Sequence, residues 1–480
     1  AGAGETDDMA AVRATWRAAW GEAYDARWAE ALRLGFVPDS APPAVTPDRL
    51  AIPPAIPQAV PPEAADGLDL LFQPDPTVWD GRFAPNAWLQ ELPKPLTKLA
   101  WDAAVLVSPA LAAELGLETG TRVAVEAGGA RVVAAAWVMA GQAPRTLTVA
   151  LGHGRGAAAG VGAGVGYDAY RLRRSDAPWL VQGAALVRLD GDAELVTTQT
   201  HSRMEGRDIV RVVTPAAAAA AAPVEAAEPP SLYPEWAYDT YAWGMVIDID
   251  ACIGCNACVI ACQAENNVPV VGRSEVARGR EMHWLRIDRY YDGDAANPRV
   301  LFQPVPCMHC EKAPCEMGCP VNATVHGPDG LNQMVYNRCI GTRTCAAYCP
   351  YEVRRFNFFD YASRETPGVR ALRNPDVTVR ARGVMEKCTY CVQRINAAHR
   401  AARHEAAGEA GAIPDGAVRT ACQSACPTDA IGFGNLNDPD SAVARARRSP
   451  RHYVLLGELG TRPRTTYLAR IADRPAGEGA

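Results

Sequence analysis

Cysteine is absent from the first 251 residues of this 480-residue chain. That stretch can therefore hold no disulfide and no thiolate metal site. Within residues 68–213 the only imidazoles are His153 and His201, so no metal site is expected there. His201 reads as a structural or interfacial residue. Long apolar runs are also missing. The longest candidate, Val132–Ala140, falls far short of the roughly 20 residues that span a bilayer. No Cys-x-x-Cys-His string occurs, which removes covalently attached haem c. There is no basic block, and the net charge is a modest −6, so no nucleic-acid partner is expected. The first residue is Ala1 and no signal-peptide pattern follows it. The expectation is that a leader was removed or that the chain is one piece of a longer polypeptide.

What is present is a globular composition, 48% apolar and 21% charged. The length suits two to four domains. Met9–Leu34 carries Trp16, Ala19, Trp20, Tyr24, Trp28 and Leu32 at helical spacing, which predicts a helix packed on a neighbour. A Pro-rich stretch from Pro38 to Pro62 follows. Residues 68–213 read as β-rich. Short β-prone segments recur at Ala104–Val107, Arg122–Glu126, Ala130–Val138, Thr146–Ala150 and Ala184–Leu189, which suggests a barrel or sandwich. The run Gly152–Gly166 is not framed by a strand and a helix, so it reads as a flexible loop rather than a dinucleotide site. Residues 214–232 are Ala- and Pro-rich, with seven consecutive alanines, and read as a linker. The cysteine-bearing region follows, over residues 233–480.

All 15 cysteines lie between Cys252 and Cys426. They form four motifs. The first is Cys252, Cys255, Cys258 and Cys262, with the spacing of bacterial ferredoxins. The second is Cys307, Cys310, Cys315 and Cys319, followed by Pro320. The third is Cys339, Cys345 and Cys349-Pro350, with Thr342 where the second cysteine would stand. The fourth is Cys388, Cys391, Cys422 and Cys426-Pro427, split by an insertion. In such a loop three thiolates wrap one cubane, and the fourth cysteine opens a helix that leads toward a second cluster. Four motifs of four positions, less the one held by Thr342, account for every cysteine. Two Cys-x2-Cys pairs can also hold zinc, but zinc explains neither the repeated Cys-Pro endings nor the reach of the fourth ligand. His309, inside the second motif, is expected to donate to a ligand from behind or to be exposed. A threonine hydroxyl is a poor ligand beside thiolates. Thr342 therefore predicts a three-iron cluster, with a four-iron cluster carrying water or hydroxide as the alternative.

Residues 233–470 resemble the four-cluster ferredoxin subunits of polysulfide reductase and formate dehydrogenase. The resemblance implies that the first motif pairs with the fourth and the second with the third. One [4Fe–4S] cluster would then take Cys252, Cys255, Cys258 and Cys426. A second would take Cys388, Cys391, Cys422 and Cys262, and a third Cys307, Cys310, Cys315 and Cys349. The [3Fe–4S] cluster would take Cys339, Cys345 and Cys319. Upstream, Asn86–Pro93, Thr97–Asp102 and Thr198–Asp208 resemble the C-terminal domain of molybdopterin oxidoreductases. The fusion of the two resembles the iron–sulfur B subunit of alternative complex III, with only the last part of that family's molybdopterin-type region retained, so that the chain would be a fragment or the product of a split gene.

That resemblance implies an α+β fold. Residues 1–67 would be a helical remnant of the molybdopterin-type region. A β-barrel-like, molybdopterin dinucleotide-binding-type domain without molybdopterin would follow, and then a double bi-cluster ferredoxin domain. It implies an electron-transfer subunit with no active site of its own. Its partners would be a polytopic quinone-binding membrane subunit, c-type haem subunits and other subunits of the complex, and its place the outer, periplasmic face of a bacterial inner membrane. Electrons would enter at the three-iron cluster and leave toward haem. The competing expectation is an iron–sulfur subunit of a true molybdopterin oxidoreductase of polysulfide-reductase type. A third makes residues 1–213 an assembly scaffold.

Overall fold

The computed structural model describes residues 8–41, 43, 66–220, 230–362, 366–406 and 411–473. Residues 1–63 and 64–480 are separate compact units. In the first, the single helix expected over Met9–Leu34 is two: α1 (Asp8–Trp20) and α2 (Tyr24–Leu34), joined by a 3₁₀ turn. Gly21 takes a φ of 53°, outside the right-handed helical region, and this breaks the run. The aromatic stripe survives the break, with Trp16 on Trp20 at 4.3 Å and Tyr24 on Trp28 at 5.6 Å.

The second unit opens with a closed six-stranded barrel in the order β1-β5-β2-β4-β3-β6. Its strands are β1 (Leu68–Pro74), β2 (Val105–Val107), β3 (Thr121–Ala127), β4 (Ala130–Val138), β5 (Thr146–Leu151) and β6 (Leu180–Asp192). All five segments expected from the sequence are among them. The sixth, β1, carries apolar residues on both faces (Leu70, Leu71, Phe72) and so lacks the alternation that marks a half-buried strand. Closure removes the exposed edges that an open sheet would present. The interior is filled by β-branched and aliphatic side chains, among them Leu70, Val105, Val123, Leu147 and Val149. The Gly152–Gly166 segment is held close against its surroundings. A Cβ on Gly154 would stand 2.3 Å from the backbone nitrogen of Asp168, so glycine there serves close backbone approach rather than flexibility. Ala157–Gly162 within it is a short 3₁₀ stretch, so the segment opens no α-helix of the kind a dinucleotide loop requires.

The cysteine-rich half is built on a four-stranded sheet in the order Ile431–Asn435, Trp243–Asp248, Thr465–Leu468, His452–Tyr453. Two-stranded ribbons flank it, and a helix carries the third cysteine position of each motif (Cys258, Cys315, Cys345, Cys422), so the last cysteine lies within or just after that helix rather than opening one as expected. Of the expected linker, 221–229 lie outside the described residues, and Pro215–Ala220 form a short helix. Just before it, Val212–Val213 pairs in parallel with Arg470–Ile471 near the other end of the unit. Among the described residues no helix is long and apolar enough to cross a membrane.

Barrel and cysteine-rich half share one apolar core, in which Leu92 and Val212 pack with Trp243, Met245 and Ile287. A polar clasp locks the same seam. Glu91, fully buried at the end of α3 (Ala87–Glu91), accepts the N–H groups of Val271 at 3.0 Å and Gly272 at 2.7 Å, and Nε1–H of Trp101 at 3.1 Å. Burial pushes its carboxyl up to about 7. In the barrel half, Asp75 gathers Lys94 (3.1 Å), His153 (2.9 Å) and the Thr77 hydroxyl (2.8 Å) in a buried network. That network gives His153 a structural partner. Removing one side of a buried hydrogen-bond set costs more than the bonds are worth, because the partners stay dehydrated. Glu91→Ala is therefore expected to destabilise the chain by roughly 2–3 kcal/mol, read as a lowered denaturant midpoint with the denaturant slope unchanged.

Candidate iron–sulfur centres

Each motif contains the same backbone device. The residue two places after its first cysteine is left-handed: Gly254 at φ 68°, His309 at 45°, Gly341 at 79° and Tyr390 at 55°. The turn points the intervening side chain away and folds the loop around the space between its sulfurs. Glycine does this without strain, whereas His309 and Tyr390 hold it under tertiary constraint. These two rings stack on each other at 3.8 Å.

The Cys-Pro endings carry a second device. Three residues past the cysteine the chain is again left-handed, at Asn322 (φ 49°), Glu352 (52°) and Asp429 (50°). This turns the following N–H back onto the sulfur. Ala323 donates to Cys319 Sγ at 3.1 Å and Ala430 to Cys426 Sγ at 3.3 Å. Such bonds favour the thiolate, and the Cys319 thiol is lowered, although burial works against it. The first motif has no proline after Cys262, and its helix runs on to Glu265. There the side chain of Asn266 reaches back instead, with Nδ2 at 3.6 Å from Cys262 Sγ and 3.9 Å from Cys391 Sγ.

Four groups of sulfurs result. Cys307, Cys310, Cys315 and Cys349 line one small cavity. Cys319, Cys339 and Cys345 line a second, together with Thr342. Cys262 lies among Cys388, Cys391 and Cys422, which push its thiol up after burial has done so. Cys252 feels Cys426 and Cys255, and Cys258 is close to Cys422, Cys252, Cys255 and Cys426. Cys258 therefore stands between the sulfurs of two groups. Among the described residues no three Cys, His, Asp or Glu side chains converge as they would on one metal ion. A cubane's thiolates sit on four different irons and so stand farther apart than the donors of one ion. Fifteen soft sulfur donors around small spaces, most pushed up by burial and several met by N–H groups, fit iron–sulfur clusters and little else.

Buried cations surround the groups. Arg354 lies close to Cys315, Cys345, Cys307 and Cys349, and these sulfurs hold its guanidinium above its ordinary range against burial. Lys387 donates to the Cys388 carbonyl at 2.9 Å. His309 is fully buried, which resolves the two expectations for it in favour of a supporting role. Its Nδ1 accepts the Asn332 N–H at 3.1 Å, so Nε2 carries the proton and donates to the Cys388 carbonyl at 3.0 Å. It thus ties the second motif to the fourth. His201 is exposed and lies 3.7 Å from Glu205.

One set of residues was not legible in the sequence. His326, beneath Trp236 at 4.9 Å, sits between Glu311 (3.4 Å) and Glu316 (3.3 Å), which follow Cys310 and Cys315. Burial disfavours its charge, but hydrogen bonds to Glu311 and then Glu316 outweigh it and hold the imidazole up at about 9. The only sequence signal was the repeated Cys-Glu pair, which says nothing of a partner ten residues on. The folded state thus binds the proton more tightly than the unfolded chain. The resulting stabilisation is complete below the ordinary value of 6.5 and is lost as pH climbs through about 9. His326→Gln should flatten that fall, measured as the denaturant midpoint across this pH window.

The model of the 4Fe–4S dicluster domain matches residues 251–323 and 338–430, and a second 4Fe–4S dicluster model matches 298–365. The chain is 43% identical over 231 residues to the iron–sulfur cluster-binding subunit of a menaquinone reductase from Nitratidesulfovibrio vulgaris, covering 89% of that protein and 48% of this chain. It is 34% identical over 252 residues to the iron–sulfur subunit 1 of an Hdr-like menaquinol oxidoreductase from Archaeoglobus fulgidus, covering 86% of it and 49% of this chain. It is 31% identical over 224 residues to the protein NrfC of Escherichia coli, covering 78% of it and 46% of this chain. With the four sulfur-lined loops in place, the cysteine-rich half belongs to the family of iron–sulfur electron-transfer subunits that carry 4Fe–4S dicluster domains.

Proposed function

We propose that the chain is the electron-transfer subunit of a membrane-bound quinol oxidoreductase of the alternative complex III type. It would relay electrons from a quinol-oxidising, polytopic membrane subunit toward c-type haem subunits on the periplasmic face. The observation that carries this reading is the pair of cavities formed by the second and third motifs. One has four cysteines from both motifs around it, and the other has three cysteines and Thr342. Together they support the crossed assignment and a cluster short of one ligand.

In this reading Cys307, Cys310, Cys315 and Cys349 hold one [4Fe–4S] cluster. Cys252, Cys255, Cys258 and Cys426 hold another, and Cys388, Cys391, Cys422 and Cys262 a third. Cys339, Cys345 and Cys319 hold a [3Fe–4S] cluster. When bound, the clusters supply one-electron carriers. The chain's own residues do the rest: N–H groups and buried cations favour added negative charge, and the apolar core keeps water from the buried sulfurs. Cys255 is exposed beside Ile253, so the first motif reaches the surface and offers an exchange point with a partner. The barrel fused ahead of the clusters, with its Asn86–Asp102 and Thr198–Asp208 segments, favours the alternative complex III type over a single ferredoxin subunit.

Two tests follow. Thr342→Cys restores a thiolate at the right spacing. The oxidised wild type should show a [3Fe–4S] EPR signal that disappears in this variant; a wild type without that signal contradicts the assignment. Cys319→Ser should damage the same signal and leave the Cys307-group cluster intact. Metal analysis of the purified complex separates the second reading, a true molybdopterin oxidoreductase. Iron without stoichiometric molybdenum is expected, and one molybdenum per chain would overturn the proposal.

A further inference from the structure

The barrel half places one ammonium against the first motif. Lys98 lies in the loop after α3 and is 1% exposed. Its backbone is strained, at φ 60°, and is pinned at both ends: its N–H donates to the Lys94 carbonyl at 3.0 Å and its carbonyl accepts the Thr198 N–H at 3.0 Å. The Nζ has no hydrogen-bond partner among the described residues. It lies 5.8 Å from the Phe302 ring centroid. That ring in turn rests directly on Gly254, where a Cβ would meet it at 2.5 Å. The same loop grips the motif elsewhere, since Asn256 Nδ2 donates to the Pro93 carbonyl at 2.6 Å. Buried lysines without a partner are rare and costly. Burial pushes this one down to about 7 and the nearby Arg289 acts in the same sense, while Asp288 and the sulfurs of Cys252 and Cys258 oppose them.

Other buried cations near sulfur, among them Arg354, Lys387 and Arg380 (the last near Cys262), belong to the cysteine-rich half itself. The sulfurs of Cys252 and Cys258 act on a lysine of the barrel half. We infer that Lys98 is the counter-charge of the cluster held by Cys252, Cys255, Cys258 and Cys426, so that the barrel half, although fused upstream, sets the potential of one cluster. An anionic cluster bound there would favour the protonated lysine, and that positive charge in a low-dielectric site favours the state with one more electron and raises the midpoint potential. The inference rests on the crossed assignment proposed above.

The test uses the full chain in its complex, with an EPR-monitored redox titration of all four clusters. Cys255→Ser first identifies which spectral component belongs to the first motif. If no component responds to Cys255→Ser, the cluster assignment fails, independently of Lys98. In Lys98→Met that component should titrate at a more negative potential while the other three keep theirs. Lys98→Arg, which keeps the charge, should stay near the wild type. An unchanged midpoint in Lys98→Met, a shift in a different component, or equal shifts in Met and Arg overturns the inference. Should Lys98→Met lose the first cluster, as judged by iron content, retention in Lys98→Arg supports the need for charge. Loss in both means that the site needs only the lysine's shape, and overturns it.

Discussion

Thiolates buried in an apolar core are the constraint on which the rest of this structure depends. Burial alone pushes most of these thiols up, and neighbouring sulfurs push several further. Charge at such positions persists only if something nearby compensates it. Iron is the direct answer, and the polypeptide supplies the rest in three forms: N–H groups turned onto sulfur, the side-chain amide of Asn266, and buried cations. Left-handed residues at fixed offsets in the motifs make the first of these possible. They give a backbone reason why the motifs share their first and last spacings, although the middle gap varies, and why three of them end in Cys-Pro.

The same constraint shapes the relation between the two parts of the larger unit. A ferredoxin region alone would expose its first motif on one side. Here the loop from Ala87 to Trp101 covers that side. Asn256 anchors to its backbone, Glu91 caps the N–H groups at Val271 and Gly272, and Lys98 lies against Phe302, the ring that packs on Gly254. The barrel supports this loop from behind through the buried Asp75, Lys94 and His153 network. The barrel thus has a physical role here. It holds a strained loop, and with it one charge, in place.

Residues that look unrelated in the sequence become a single system by this route. His309 and Tyr390 occupy equivalent places in the second and fourth motifs, and both are forced left-handed. They stack, and His309 also bonds the Cys388 carbonyl, so the second and fourth motifs share a rigid wall. Arg354 lies near sulfurs of both the Cys307 and Cys339 groups. A change at any of these positions would act on two centres at once, because each contacts the surroundings of two.

The chemistry was legible in the sequence because it is local. Thiolate spacing is a property of a few consecutive residues, so the four motifs, the gap at Thr342 and five of the six strands of the barrel could be read directly. Helix continuity was less legible: one glycine split the run at Gly21, and the aromatic periodicity did not reveal it. The strand β1 escaped because it is apolar on both faces. What tertiary structure alone decided is everything that joins distant segments. Cys349 comes to lie beside Cys307, His326 between Glu311 and Glu316, and Lys98 against a motif more than 150 residues away. These meetings depend on which surfaces bury each other, and no local pattern encodes that.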